Sequence, residues 1–556
     1  MGSRRVLFLV SAHNSLSQRA QIALTELGHD VTVAVVDSAA TMAAADAAHE
    51  PQLIVCPILK KFIPESIWSR YRCLVVHPGP PGDRGPSSLD WAIELGAEEW
   101  GVTVLEANGE ADAGDIWASR TFATRPAGKS SLYRHEVRRA AIEALVEAVD
   151  PDATPTAQTT GHARPLVTQP MRAIDWRADD SDAVIRKIRA AEGHPGVLDA
   201  IDGTEFHLFG AHHERELLGR PGEIIAQRDG AICRATIDGA VWISHLKPPG
   251  GFKLPAALAL DVDAPLVDVA LDAPLDVYRE IAYEERADVG YLHFDFYNGA
   301  MSTDQCRRLR EAYAYARARD TKVIVLMGGS DFFSNGIHLN VIEAADDPAA
   351  ESWWNLLAID DVVRDIVETD SHLVISALAG DAAAGGVPFA LAADRVVARE
   401  DVVLNPYYQH MGGLYGSEYW TYLLPRRVGT DVAASLTRAP FTPIGTREAV
   451  DIGLLDAAFG ATADAFRARV RRLAERMAHG HDFGNRLIYK RLQRLRDEQI
   501  KPLNAYRKEE LARSHECFFG DDPSYHEARH RFVHKLGAPC TVLPAAAAEH
   551  RRAVAQ

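Results

Sequence analysis

Residues 73–86 read CLVVHPGPPGDRGP. An apolar run with no polar alternation leads into His77, where the chain breaks into prolines and glycines. A run of that kind and length suits a strand covered on both faces, as in a parallel sheet between helices. Working outward, Val6–Val10, Val31–Val36 and Leu53–Ile58 repeat the pattern, and Ser17–Leu27 has helical spacing that stops at Gly28. Strands separated by helices predict an α/β domain whose ligands sit at the carboxyl ends of the strands. His77 falls at such an end.

The chain has 556 residues, with 60 Lys and Arg against 77 Asp and Glu, a formal charge of −17. At roughly 150 residues per domain, that length implies three or four domains, or two large ones. The acidic balance argues against a nucleic-acid partner, whose phosphates demand Lys and Arg. Six scattered cysteines without a C-x-x-C pair argue against a disulfide framework or a thiolate zinc site. The first residues, MGSRRVLFLVSAHN, read as a strand rather than a signal peptide, and no apolar run reaches the ~18 residues that span a bilayer. The expectation is a cytoplasmic protein with no membrane partner.

Composition shifts twice. DPDATPTAQTTGHARP after Val149 reads as a linker, and PPGGFKLP onward to Pro274 as a second. Between them a helix at Ser181–Ala191 and Gly-punctuated strands at Ala231–Ile237 and Val241–Ile243 predict a small β-rich domain. Beyond Asp288 an α/β rhythm returns, with strands at Gly290–Phe296, Lys322–Met327 and His372–Ala377, helices at Thr303–Ala318 and Ala350–Val367, and a helical end over Asp464–His534.

Three constellations carry candidate chemistry. In the first, His77 and Asp112 of the Asp112-Ala113-Gly114-Asp115 turn flank one sheet edge, and a carboxylate that fixes a histidine tautomer builds a proton-transfer catalyst. On spacing alone they are equally a loop histidine and a turn aspartate. The pattern resembles the folate-dependent formyltransferases, whose site is Asn-x-His followed by such an Asp. Leu59, Lys60 and Lys61, in LKKFIP, resemble that family's pterin-side loop, and Ala173-Ile174-Asp175-Trp176 with Ile188-Arg189-Ala190 resembles the accessory domain of methionyl-tRNA formyltransferase. The family's asparagine falls on Val75 here. Asn14, after the first strand, is either a substitute amide or a helix N-cap.

The second constellation is MGGSDFFSNGIH at 327–338 with AGDAAAGGVP at 379–388. Small residues that let backbone approach a ligand suit a two-donor oxyanion hole. Both runs, with Ala393-Asp394 and Leu424-Pro425-Arg426-Arg427-Val428-Gly429, resemble the crotonase (enoyl-CoA hydratase/isomerase) family. That resemblance puts the backbone N–H groups of Ile337 and Gly385 on a thioester oxygen, with Gly336 and Gly386 beside the coenzyme. The two glutamates of a hydratase fall on Pro388 and Tyr408. Glu418, ten residues after Tyr408, offers a carboxylate base beside a phenol, or else a surface Glu beside a packing Tyr.

The third is His526-Glu527-Ala528-Arg529-His530 with His534, matching the H-E-x-x-H zinc pattern. A helix near the coenzyme, or simply an exposed one, is the preferred reading; Arg529, Arg531 and Lys535 would suit the coenzyme's phosphates, and no metal is expected.

A formyltransferase body joined to a crotonase body with exchanged carboxylates resembles the HypX/HoxX family of hydrogenase maturation proteins. The expected organisation is a formyltransferase-type parallel-sheet domain at 1–150, a β-rich formyltransferase C-terminal-like domain at 165–255, and a crotonase-type spiral with a helical tail at 275–545. The resemblance implies formyl transfer from N10-formyltetrahydrofolate to coenzyme A, then decarbonylation of formyl-CoA to carbon monoxide for a nickel-iron site, with hydrogenase maturation proteins as receiving partners. The alternative is an amine formyltransferase carrying a separate acyl-CoA-binding domain.

Overall fold

The computed structural model describes residues 2–158, 161–260, 263–438, 443–536 and 542–543. The chain forms two compact units, one holding residues 1–267 together with the strand at 542–543, the other the described residues from 268 to 536.

The first unit opens with a seven-stranded sheet in the order Val542–Leu543, Asp30–Val35, Arg5–Val10, Leu53–Cys56, Cys73–His77, Glu99–Glu106, Ile116–Ala123. The four strands from Asp30–Val35 to Cys73–His77 are parallel, as their unalternated apolar runs predict. Glu99–Glu106 and Ile116–Ala123 add an antiparallel edge, which places Thr103 opposite His77. The helix Ser15–Glu26 follows the first strand, and Leu7, Leu9, Ile54 and Cys56 pack into one of the sheet's buried clusters.

The β-rich part of this unit is an antiparallel sheet in the order Ile224–Arg228, Ala231–Ala235, Ala240–Lys247, Thr204–Glu214, Val197–Ile201. Helix Ser181–Ala191 packs on it through Val184, Ile185, Ile188 and Ala191, an apolar stripe at helical spacing that meets Phe206, Leu208 and Ile243. Asp180 caps it by accepting the Ala183 N–H at 2.8 Å.

The expected linker after Val149 connects the two parts of this unit but does not run free of the first. Thr156 exchanges two 2.8 Å backbone hydrogen bonds with Ile116, and His162–Ala163 pairs with Asp83–Arg84. Polar, Pro-rich composition here marks a segment that lies along a sheet edge.

The second unit winds as a spiral in which successive turns give one strand to each of two sheets. Ile281–Arg286, Val289–Phe294, Val323–Gly328, Leu373–Leu378, Arg395–Ala398 and Ala457–Ala458 make the larger sheet, and Phe332–Ser334, Asp381–Ala383, Val403–Asn405 and Ile444–Gly445 the smaller. Phe294, Phe333 and Phe389 interlock with ring centroids 5.2–5.7 Å apart. Helices Ala463–His479, Phe483–Ile500, Leu503–Phe519 and Ser524–Val533 form the tail. Among the described residues no helix is long and apolar enough to cross a membrane.

Candidate active sites

In the first unit His77 ends its strand almost fully buried, and its Nε2–H donates to Asp83 Oδ2 at 2.9 Å. Arg164 Nε donates to the other Asp83 oxygen at 2.8 Å. Burial pushes the Asp83 carboxyl up, but hydrogen bonds from His77, Ser88 and Arg164 outweigh it and hold the group below the ordinary range. Gly79 makes the pair possible, since a Cβ there would lie 2.4 Å from His77 Nε2 and 2.3 Å from Asp83 Oδ2.

Asp112 faces the other ring nitrogen, with Oδ2 3.5 Å from Nδ1. It stands in a left-handed turn at φ 51°, and its carboxylate accepts the Gly85 N–H at 3.1 Å. The Asp112 side chain is 20% exposed, and that of Asp83 only 3%. The division of labour differs from the sequence expectation: Asp83 fixes the imidazole, while Asp112 stands toward solvent at its free edge. Asp83 lies in the opening stretch itself, six residues past His77, but the formyltransferase pattern directs attention to the later aspartate.

Asn14 is the N-cap of helix Ser15–Glu26. Its Oδ1 accepts the Ser17 N–H at 3.1 Å and its Nδ2 donates to the Tyr133 hydroxyl at 3.3 Å, so this amide is committed to structure. Val75 shares a strand face with His77, which leaves an apolar side chain where the formyltransferase pattern has an amide. At the next strand end, Ser11 donates its N–H to Ile58 O and accepts the Lys60 N–H at 2.9 Å. Leu59 is half-buried there, with Lys60 and Lys61 exposed beside it.

In the second unit the two glycine runs meet backbone to backbone. A Cβ on Gly336, where φ is 77°, would lie 3.1 Å from Gly385 N, and one on Gly386 would lie 1.9 Å from Ser334 O. Ile337 sits between Gly336, whose N–H donates to Ser334 Oγ at 3.1 Å, and His338, whose N–H donates to Asn355 Oδ1 at 2.9 Å. Gly385 is the N-cap of Gly386–Leu391, a position whose N–H has no intrahelical acceptor.

Over this junction lies Glu418. A Cβ on Gly385 would fall 2.1 Å from its Oε1. Its Oε2 accepts the Tyr408 hydroxyl and the Ser417 N–H, each at 3.1 Å. Glu418 and Tyr419 are both left-handed, at φ 58° and 56°, a cost of about 1–2 kcal/mol each. Asp360 Oδ1 offsets it by accepting the Glu418 N–H at 2.7 Å, a charge-assisted bond worth about 1.5–3 kcal/mol.

Three carboxyls are buried here together. Ser417 Oγ donates to Asp360 at 2.9 Å and reaches Glu510 at 3.5 Å, and Glu510 also accepts the Thr421 N–H at 2.8 Å. Burial and then the Asp360 charge push Glu418 up to about 8, and the same causes take Glu510 to about 8. Burial raises Asp360 to about 6 against the pull of Arg507. Tyr408 is held well above a free phenol by burial and by Glu418. Glu418 is thus a desolvated carboxyl of unusual basicity, against the backbone and bonded to a phenol. Asp360, Glu510 and Arg507 lie in sequence as ordinary helix charges, and no motif marks them.

Helix Ser524–Val533 departs from expectation. Arg529 is buried, with Nε on Glu343 Oε2 and an Nη on His526 Nδ1, both at 2.7 Å, so it is a packing cation rather than an open phosphate ligand. Lys535 is exposed, its ammonium 4.2 Å from the Phe532 ring centroid. His526 gives its Nε2–H to Phe518 O at 2.9 Å, so the H-E-x-x-H histidines do not converge on one point.

Residues 12–149 match the formyl transferase family, 166–261 the formyl transferase C-terminal domain, and 287–539 the enoyl-CoA hydratase/isomerase family. The chain is 46% identical to the hydrogenase maturation factor HoxX of Bradyrhizobium diazoefficiens, over 99% of this chain and 98% of that one. It is 27% identical to the methionyl-tRNA formyltransferase of Variovorax paradoxus, over 33% of this chain and 60% of that one. The crystal structure of HypX from Aquifex aeolicus in complex with tetrahydrofolic acid superposes with a TM-score of 0.95 at 44% identity, covering 99% of each chain.

Proposed function

Since the chain belongs to the HypX/HoxX family of hydrogenase maturation factors, we propose that it makes carbon monoxide in two steps, formyl transfer to coenzyme A and decarbonylation of formyl-CoA. The observation that carries the reading is the Glu418 carboxyl, buried over Gly385 and bonded to Tyr408, where a hydratase would need two carboxylates.

In the first step N10-formyltetrahydrofolate docks by its pterin along Leu59–Lys61; tetrahydrofolic acid in the Aquifex relative supports that donor. His77, oriented by Asp83, polarises the formyl carbonyl. The CoA thiol attacks, its proton passes through the His77–Asp112 edge to the departing folate nitrogen, and formyl-CoA forms.

In the second step the thioester oxygen sits on the N–H groups of Ile337 and Gly385. Ionised Glu418 takes the formyl proton, the C–H electron pair becomes the carbon lone pair of CO, and the C–S bond breaks. The thiolate is reprotonated through Tyr408 and Glu418, so the proton lost by carbon ends on sulfur and CoA is regenerated. The desolvated base beside fixed oxyanion donors supplies what a weakly acidic formyl C–H requires.

The test mixes protein, N10-formyltetrahydrofolate and CoA and traps CO on deoxyhaemoglobin. Carboxyhaemoglobin that depends on both substrates is expected. Folded protein that yields no CO, or a stable formylated amine instead, overturns the reading.

A further inference from the structure

We propose that Glu343, His530 and His534 form a binding site for one first-row divalent cation of the zinc, cobalt or nickel class. Glu343 belongs to the short helix Leu339–Ala344, while His530 lies in helix Ser524–Val533 and His534 caps it. Four residues apart, the two imidazoles share a face, with ring centroids 4.2 Å apart. Both aim at one carboxylate oxygen: His530 Nδ1 is 2.6 Å and His534 Nε2 3.3 Å from Glu343 Oε1. All three ligand atoms lie within 4.8 Å of one another.

Metal–ligand bonds of about 2.0–2.2 Å put tetrahedral ligands about 3.3–3.5 Å apart. Small side-chain rotations bring the cluster to that spacing, with the ion replacing the imidazole protons that now face the carboxylate. Two imidazoles and one carboxylate favour Zn²⁺, Co²⁺ or Ni²⁺ over Mg²⁺ or Ca²⁺.

A supporting layer is already built. Arg529 holds the second Glu343 oxygen, His526 accepts from Arg529, and Phe518 O accepts from His526. Such outer partners fix a ligating carboxylate. The His530 side chain is 53% exposed, leaving the ion an open side for water. The zinc-like run in the sequence therefore points one turn too early: the pair is His530 with His534, and His526 supports it. Bound metal would tie helix Ser524–Val533 to helix Leu339–Ala344, which begins two residues after Ile337.

The test titrates cobalt chloride into untagged, chelator-stripped full-length protein. One equivalent should give the intense visible bands of a low-coordinate cobalt site, displaced by zinc chloride. His534→Ala and His530→Ala should abolish the band, whereas His526→Gln should keep one equivalent at about tenfold weaker affinity. Zinc should raise the melting temperature of the parent protein and of neither alanine variant. A protein that gives no stoichiometric band, or a band that survives His534→Ala, overturns the assignment.

Discussion

Asp360 accepts the backbone N–H of Glu418 at 2.7 Å, so a buried carboxylate in helix Pro348–Val367 grips the main chain of the candidate base. Asp360 also repels the Glu418 charge, the largest influence after burial on that carboxyl's rise to about 8. Asp360→Asn should slow CO release from formyl-CoA about 10–100-fold, the equivalent of roughly 1.4–2.8 kcal/mol. It should also move the rising limb of the pH–rate profile to lower pH, because removing a like charge eases ionisation of Glu418. A limb that stays in place would show that Asp360 acts only through geometry.

Glu418 should cost stability when ionised. Its folded pKa is raised, so folding is unpenalised below the ordinary glutamate range, and the penalty grows as pH climbs toward about 8. Glu418→Gln should abolish CO release, leave formyl-CoA formation intact, and raise the melting temperature by a few degrees at pH 9. That gain should shrink toward zero at pH 5. Calorimetry at the two pH values checks the sign.

Asp83 should contribute to stability in acid. The folded Asp83 pKa is depressed, so its contribution is complete above the ordinary aspartate value near 4 and is lost as pH falls through the lower folded value. Asp83→Asn should lower formyl transfer about 10²-fold or more and flatten the acid limb of the stability curve. Asp112→Asn should impair transfer as well, because its carboxylate faces the other ring nitrogen of His77. Acid titrations followed by circular dichroism, alongside formyl-CoA assays, measure both.

Gly385→Ala should be a folded but inactive decarbonylase. The backbone at Gly385, φ −58° and ψ −20°, accepts alanine, but the new Cβ would lie 2.1 Å from Glu418 Oε1. CO release should fall to background while formyl-CoA still forms, and a variant that releases CO normally would place the base elsewhere.

What could be read from residues alone was whatever is local. The strand ending at His77, the glycine runs at 327–338 and 379–388, and the Tyr408–Glu418 spacing are contiguous signals, and each is found where its pattern implies. Partners brought in by packing were hidden: Asp360 lies 58 residues from Glu418, and Glu510 lies 93 from Ser417, on helices where acids normally face water. Arg529 was misleading for the opposite reason. A cation on a terminal helix suggests a phosphate, and only the fold shows that Glu343 claims it. The three-part α/β architecture was legible because each part has its own periodicity.

The segment after Val149 has a practical consequence for anyone dividing the protein. Arg164, beyond the first domain's apparent end, supplies the guanidinium on Asp83, and Gln158 donates to the carbonyl oxygens of Asp112 and Gly114 at 3.2 and 3.1 Å. A fragment cut at residue 150 would keep His77, Asp83 and Asp112 and still lack the side chains that hold both aspartates. Boundaries for expression, swapping or grafting belong past Arg164, at the far end of the Pro- and Thr-rich segment and not at its start.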